Sequence, residues 1–226
     1  MINRPDESYI GIFGYVTSNA DIINIGVTNV NVSGRTSVSA IVGNLVDSTV
    51  SNAFATGIIA SSQDSGGVIG YNENGTINDS YFVGNLSGDF SIGGIVGYSE
   101  YGEINRSYAI GRITGKNFLG GIVGESYTDI YDVFSTGEVI GNGGLGGISG
   151  YLSDAELSRA YTTTHIIGQN NATDNGAVIG RIFDAATEVS SVYFDSSVNL
   201  AGVGLSDIVD TSEGLTHLEL KCPQSA

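Results

Sequence analysis

Apolar and polar positions along this chain fall into short alternating runs, and the runs recur with a nearly fixed step. The clearest recurring block is small–apolar–apolar–glycine: Gly11-Ile-Phe-Gly14, Ala40-Ile-Val-Gly43, Gly67-Val-Ile-Gly70, Gly94-Ile-Val-Gly97, Gly121-Ile-Val-Gly124, Gly147-Ile-Ser-Gly150 and Ala177-Val-Ile-Gly180. The closing glycines are 29, 27, 27, 27, 26 and 30 residues apart. Residues 93–119 show one unit. Gly93 to Tyr98 reads as a strand, Ser99-Glu100-Tyr101-Gly102 as a turn, Glu103 to Tyr108 and Ala109 to Thr114 as two further extended pieces, and Gly115-Lys116-Asn117 turns the chain back. No segment keeps helical spacing over ten residues. A fixed period of this length signals stacked units that bury a shared core, each touching only its neighbours. The expected fold is all-β: a parallel β-solenoid (β-helix) of about seven coils of ~27 residues, with three short strands per coil and a right-handed wind taken as the default. Each coil should rise by the inter-strand spacing of about 4.8 Å.

Aligning the units at a constant step gives columns. The first is Ile23, Val50, Ile77, Ile104, Ile130, Leu157, Val189; the second is Val27, Phe54, Tyr81, Tyr108, Phe134, Tyr161, Tyr193; the third is Val32, Ile59, Leu86, Ile113, Val139, Ile166, Val198. All three are apolar or aromatic throughout and are expected to point inward. The repeats occupy residues 1–200. Residues 201–226 are expected to form a C-terminal tail or cap, with a short helix near Leu215 to Leu220. The N-terminal coil is expected to be open, so that it either self-associates end to end or is covered by residues 1–8.

Three further columns are polar or mixed. One reads Thr49, Thr76, Glu103, Asp129, Glu156, Glu188, so that four carboxylates line up. Glu103, Asp129, Glu156 and Glu188 are therefore the candidate metal ligands, and calcium is the ion such a row of oxygens would take. A solvated edge is the competing reading. Another column reads Asn52, Asp79, Arg106, Asp132, Arg159, Ser191, where alternating charge should pair along the ladder and fix register. The last reads Tyr15, Asn44, Tyr71, Tyr98, Glu125, Tyr151, Arg181, and its polar interruptions mark it as partly exposed. Tyr71, Tyr98 and Tyr151 are the candidate binding residues, since exposed tyrosines make good contacts to a glycan or a protein.

Composition narrows the function classes. A formal charge of −16 with only two lysines excludes a nucleic-acid-binding face, which must be basic. No apolar run is long enough for a membrane span, so no direct membrane insertion is expected. The single cysteine, Cys222, cannot form an intrachain disulfide. No Ser-His-Asp order, histidine metal cluster or phosphate loop is present, and every prominent carboxylate belongs to a repeating column or a turn. The chain is therefore expected not to be an enzyme.

Gly-Gly-Ile-Val-Gly-Tyr98 followed by Ile104-Asn-Arg-Ser-Tyr-Ala-Ile-Gly-Arg-Ile-Thr-Gly115 resembles the GLUG-motif repeats. Those repeats occur in large secreted or surface-attached bacterial proteins, including adhesins and the non-catalytic parts of IgA-specific metallopeptidases. Val192-Tyr-Phe-Asp195 and Glu213 to Leu220 resemble the closing segment of such arrays. The resemblance implies a non-catalytic structural or adhesive module of an extracellular or cell-surface bacterial protein, acting as a spacer or display element. The alternative is a module that binds a glycan or host surface protein through the tyrosine column or an acidic, calcium-binding edge.

Overall fold

The computed structural model describes residues 1–170, 172, 174–184, 186–195 and 202–206. Every regular element among them is a β-strand, and the strands pair in parallel, each with its counterpart one coil on. The chain winds as a solenoid with three sides. The first side stacks Phe13–Val16, Val42–Val46, Ile69–Asn78, Val96–Asn105, Val123–Tyr131, Ser149–Leu152, Ile179–Ile182 and Val203–Ser206. The second stacks Asp21–Ser33, Thr49–Ala60, Tyr81–Ser87, Tyr108–Thr114, Phe134–Gly141, Glu156–Gly168 and Glu188–Phe194. The third is a six-stranded sheet of short pieces: Thr36–Val38, Gln63–Gly66, Phe90–Gly93, Asn117–Gly120, Gly143–Gly146 and Asn175–Gly176. The first two sides merge into one 16-stranded sheet.

Corners are set by single residues in the left-handed backbone region. One column of them is Asn24, Asn52, Asp79, Arg106, Asp132, Arg159 and Ser191, with φ between 45° and 59°; Asp79, Arg106 and Asp132 separate strands of the first and second sides, and the other four bend second-side strands. Asn and Asp tolerate that region because their short side chains bond locally, which is why polar residues recur there. A second such column runs along the third side: Ser37, Asp64, Ser91, Phe118 and Gly144. The Gly-Gly-Ile-Val block is itself a bend, since Phe90–Gly93 ends and Val96–Asn105 begins inside it. The Ser99 to Gly102 stretch does not reverse the chain. It lies within Val96–Asn105 and forms an irregularity, with Tyr101 and Gly102 at positive φ.

Inside the coils, like residues stack on like. Val42, Ile69, Val96 and Val123 form one buried column, and Val50, Ile77, Ile104, Ile130 and Leu157 form another. Each such side chain contributes roughly 1.5–3 kcal/mol of burial. One interior column changes character: Leu45 is followed by Asn72, Ser99 and Ser126, and then by Leu152. The three polar members are fully buried; Asn72 and Ser99 are hydrogen-bonded along the axis, whereas Ser126 Oγ donates to the Thr128 carbonyl of its own strand. Asn72 donates to Ser99 Oγ at 3.0 Å, Ser99 Oγ shares a bond with Thr128 Oγ1 at 2.8 Å, and Thr128 donates to the Tyr101 carbonyl at 2.7 Å.

Two of the three columns expected to be apolar need correction. In the first coil Val50 pairs with Ile22, not Ile23, and Phe54 pairs with Gly26, not Val27. The cause is one extra residue, taken up by a bulge between Val27 and Val30, beyond which Val32 pairs with Ile59 as expected. Ile23 consequently lies 56% exposed. The larger correction concerns the aromatic column, which points outward. Phe54, Tyr81, Tyr108, Phe134, Tyr161 and Tyr193 are half-buried or exposed, while the residues that follow them, Ala55, Phe82, Ala109, Ser135, Thr162 and Phe194, are buried. The rings stack on one another outside the sheet, at 5.0 Å for Phe54–Tyr81 and 4.9 Å for Tyr81–Tyr108.

At the N-terminal end, Ile2–Asn3 pairs with Val32 and Ser33, and the Arg35 amide bonds the Glu7 carbonyl. Residues 1–8 thus cover one corner of the first coil, whereas Phe13, Tyr15 and Ile23 remain exposed. Of the expected tail, only 202–206 are described, and Val203–Ser206 adds a further rung to the first side. Val198, the helix expected near Leu215, His217 and Cys222 lie outside the described residues.

Candidate functional site

The first side carries the tyrosine column, and strand pairing places all its members in one register: Tyr15, Asn44, Tyr71, Tyr98, Glu125, Tyr151 and Arg181. Alternation along the strand aims these side chains outward, while Leu45, Asn72 and Ser99 beside them point in. Tyr71 and Tyr98 stack with ring centroids 5.1 Å apart and planes 1° from parallel. The gap left by Glu125 is filled by a residue the column alignment missed. Tyr127 packs 6.0 Å from Tyr98 and 5.6 Å from Tyr151, and Phe183 continues the row 6.0 Å beyond Tyr151. Both lie two residues after a polar member, Glu125 and Arg181, and so share its face; the period of two was the signal that could have found them. Tyr71, Tyr98 and Tyr151 therefore belong to one aromatic row, with Tyr127 between the last two.

Three carboxylates border this row. Asp64, at a left-handed corner of the third side, lies beside Tyr98 and Glu125, which both feel its charge or act on it. The Tyr71 hydroxyl donates to Glu100 Oε2 at 3.2 Å, and Ser91 Oγ donates to Glu125 Oε2 at 3.0 Å. Burial pushes the Asp64 carboxyl up to about 6, and the Glu125 charge adds to the rise. Burial also raises Glu125, against the hydrogen bonds from Ser91 and Tyr127 that pull it down. Burial, and then the Glu125, Glu100 and Asp64 charges, lift the Tyr98 hydroxyl to about 12. None of Asp64, Glu100 and Glu125 takes part in any of the ion pairs found among the described residues. The result is a half-buried seam of rings and carboxyl groups whose three acids enter no ion pair; the row's own cation, Arg181, lies at its far end over the Phe183 ring, 4.4 Å from the centroid.

The alternating charged column forms two fork-like pairs. Arg106 donates Nε to Asp79 Oδ1 at 2.7 Å and Nη2 to Asp79 Oδ2 at 2.9 Å; Arg159 holds Asp132 with the same two distances. These bonds hold the Asp79 and Asp132 carboxyls below the usual range. Both pairs are solvent-exposed, so their main effect is on register, because a slip by one coil would set like charge on like.

The four expected metal-ligating residues follow one another up the stack, as Glu103 beside Asp129 and Glu156 beside Glu188, with Asp129 Oδ1 accepting the Glu156 amide at 2.8 Å. Asp129, Glu156 and Glu188 line an open groove with Asp154. Glu103 stands one coil away and accepts the Asn105 side-chain amide at 2.7 Å. Among the described residues, no three or more His, Cys, Asp or Glu side chains are grouped so that they could hold a metal ion.

Stacked parallel coils around a continuous apolar interior define a β-solenoid repeat protein. Within it, residues 88–114 match the family model described as the GLUG motif. That match covers one coil, from Gly88 to Thr114, and supports a GLUG-type assignment for that repeat, on which the neighbouring coils stack in parallel. Comparison with curated proteins and with solved structures gave no match.

Proposed function

We propose that this chain is a non-catalytic spacer and display segment of a large bacterial cell-surface or secreted protein. The observation that carries the reading is the parallel stacking of coil on coil, interrupted only locally, at Val27–Val30 and Glu100–Glu103 among the described residues. Every coil repeats the same three sides, and even the two arginine forks serve alignment. A rod of this kind sets a fixed distance and presents a repetitive polar surface, which is what a stalk or adhesive array needs. The position occupied by Asp21, Thr49, Thr76, Glu103, Asp129, Glu156 and Glu188 advances by six coil steps, or about 29 Å at the inter-strand spacing. Spin labels on cysteines replacing Asp21 and Glu188, in a Cys222→Ser background, should give a narrow distance distribution near that value. A broad distribution, or one that changes with mild denaturant, would sink the rigid-spacer reading.

A second reading is favoured by the tyrosine row. Its residues share one register and border carboxyl groups that lack a cationic partner, an arrangement that stacking alone does not require. In this reading the first side binds a glycan or a host surface protein through Tyr71, Tyr98 and Tyr151. Loss of binding in a Tyr71→Ala/Tyr98→Ala variant of unchanged melting temperature is the expected outcome; retained binding would remove the row from the site.

A further inference from the structure

We propose that the seam along the tyrosine row binds the lysine and arginine side chains of an extended basic polypeptide. This rests on the reading of the row as a binding surface and names the chemistry of its partner. Three observations converge on it.

The first is the balance of donors and acceptors. Asp64, Glu100 and Glu125 are acceptors that take part in no ion pair among the described residues. The hydroxyls of Tyr71 and Ser91 are already spent on Glu100 and Glu125. The Tyr127 hydroxyl adds a long bond to Glu125 at 3.5 Å, and the remaining acceptor capacity favours a ligand that brings hydrogen-bond donors and positive charge.

The second is Asn44, which sits in the same outward column between Tyr15 and Tyr71. It is only 8% exposed, and its Oδ1 has no hydrogen-bond partner. The atom is enclosed, so it marks an acceptor on the row that the fold itself leaves without a donor.

The third is ring geometry. Tyr71 and Tyr98 lie in a parallel stack, so each covers a face of the other. A sugar platform needs free ring faces, and this part of the row presents edges. Tyr98 and Tyr127 are tilted by 42°, and Tyr127 and Tyr151 by 51°, which opens ring surface beside Glu125 where an alkylammonium or guanidinium group can lie against aromatic carbon. A second copy of this chain does not fit, because two bodies of formal charge −16 repel.

Asp64 gives the site a pH dependence. The groups acting on or feeling it are Glu125 on Val123–Tyr131 and Tyr98 on Val96–Asn105, with Glu100 also near Tyr98. A bound cation favours the ionised carboxyls, so binding should release protons and weaken as the pH falls through about 6.

The test is calorimetric titration of the whole chain with a twelve-residue peptide of alternating arginine and serine, at physiological salt, pH 7.5 and pH 5. Saturable binding is expected at pH 7.5, and weaker binding at pH 5, where the enthalpy should depend on the buffer's ionisation heat because Asp64 must give up its proton. Asp64→Asn/Glu125→Gln should weaken it at least tenfold, without loss of thermal stability. The charge-matched control Asp6→Asn/Asp21→Asn should leave it within twofold. Equal weakening by both variants would mean attraction to net charge only and would overturn the proposal, as would the absence of saturable binding. If instead an oligosaccharide binds, and Tyr71→Ala/Tyr98→Ala abolishes that binding, the row remains a binding surface and the basic-polypeptide assignment falls.

Discussion

Replacing Asp64 by Asn should make the protein more stable, and only above the pH at which the carboxyl ionises. The native pKa is raised from the ordinary 3.8 to about 6, first by burial and then by Glu125. The folded state therefore binds more protons than the unfolded state between those values. Stability contributed by this group is full below about pH 4, declines as the pH rises to about 6, and stays reduced above it. Two pKa units correspond to roughly 3 kcal/mol, an upper bound that solvent around a half-buried side chain reduces to about 1–2 kcal/mol. Asn keeps the shape, removes the charge, and suits the backbone, because Asp64 has φ 49°, a region Asn tolerates well. In urea unfolding, the variant should exceed the parent by about 1–2 kcal/mol at pH 7.5, or roughly 3–6 °C in melting temperature, and match it at pH 4. A variant less stable at pH 7.5, or a difference that does not change with pH, would show that Asp64 is not held against its charge. The prediction bears on function as well. A residue that weakens the fold at neutral pH, in a stack otherwise tuned for regularity, is expected where a partner's cation completes the site.

Two other substitutions test how the stack is held. Gly111 has φ 154°, and a Cβ there would overlap the Gly84 carbonyl oxygen of the adjoining coil; Gly111→Ala should cost more than about 3 kcal/mol in urea unfolding, and a loss below about 1 kcal/mol would mean that the coils shift apart easily. Asp184 anchors the bend before Glu188–Phe194, accepting bonds from Ser153 Oγ, the amides of Asp154 (2.8 Å), Ala186 (2.7 Å) and Thr187 (2.9 Å), and Thr187 Oγ1 (3.0 Å). Burial raises its pKa, but these bonds outweigh it and hold the carboxyl below the ordinary value. Its contribution is thus full above the unfolded pKa and lost as the pH falls through the lower native one. Asp184→Ala should cost about 2–4 kcal/mol at pH 7 and speed amide exchange at Ala186 and Thr187; unchanged exchange there would refute the anchor.

The period, the count of three strands per coil and, beyond the first coil, the partners within each column were legible in the sequence, because a parallel stack repeats its environment at every step; the short third side, Phe90–Gly93 and its counterparts, was not. The register of Tyr71, Tyr98, Glu125 and Tyr151, and the pairing of Asp79 with Arg106 and Asp132 with Arg159, follow from position in the repeat alone. What a column does not encode is the side of the sheet on which it emerges. Alternation fixes that within a strand, but each corner residue at positive φ restarts the count. Asp79 and Arg106 each stand two residues before an aromatic, so Tyr81 and Tyr108 face out rather than in. Chemistry is no guide to the direction either, since an aromatic column stabilises the stack from outside by ring-on-ring contact as it would from inside by burial. The seam was illegible for a different reason. Ser91 reaches Glu125 across 34 residues, one coil plus the turn from the third side to the first, and Asp64 meets Tyr98 by the same offset. A reading that compares equivalent positions in successive units compares each residue with its own kind, and passes over contacts between different columns. A site that departs from the repeat is built from such contacts, which is why the grouping of Asp64 and Glu125 beside Tyr98 appears only where the third side meets the first.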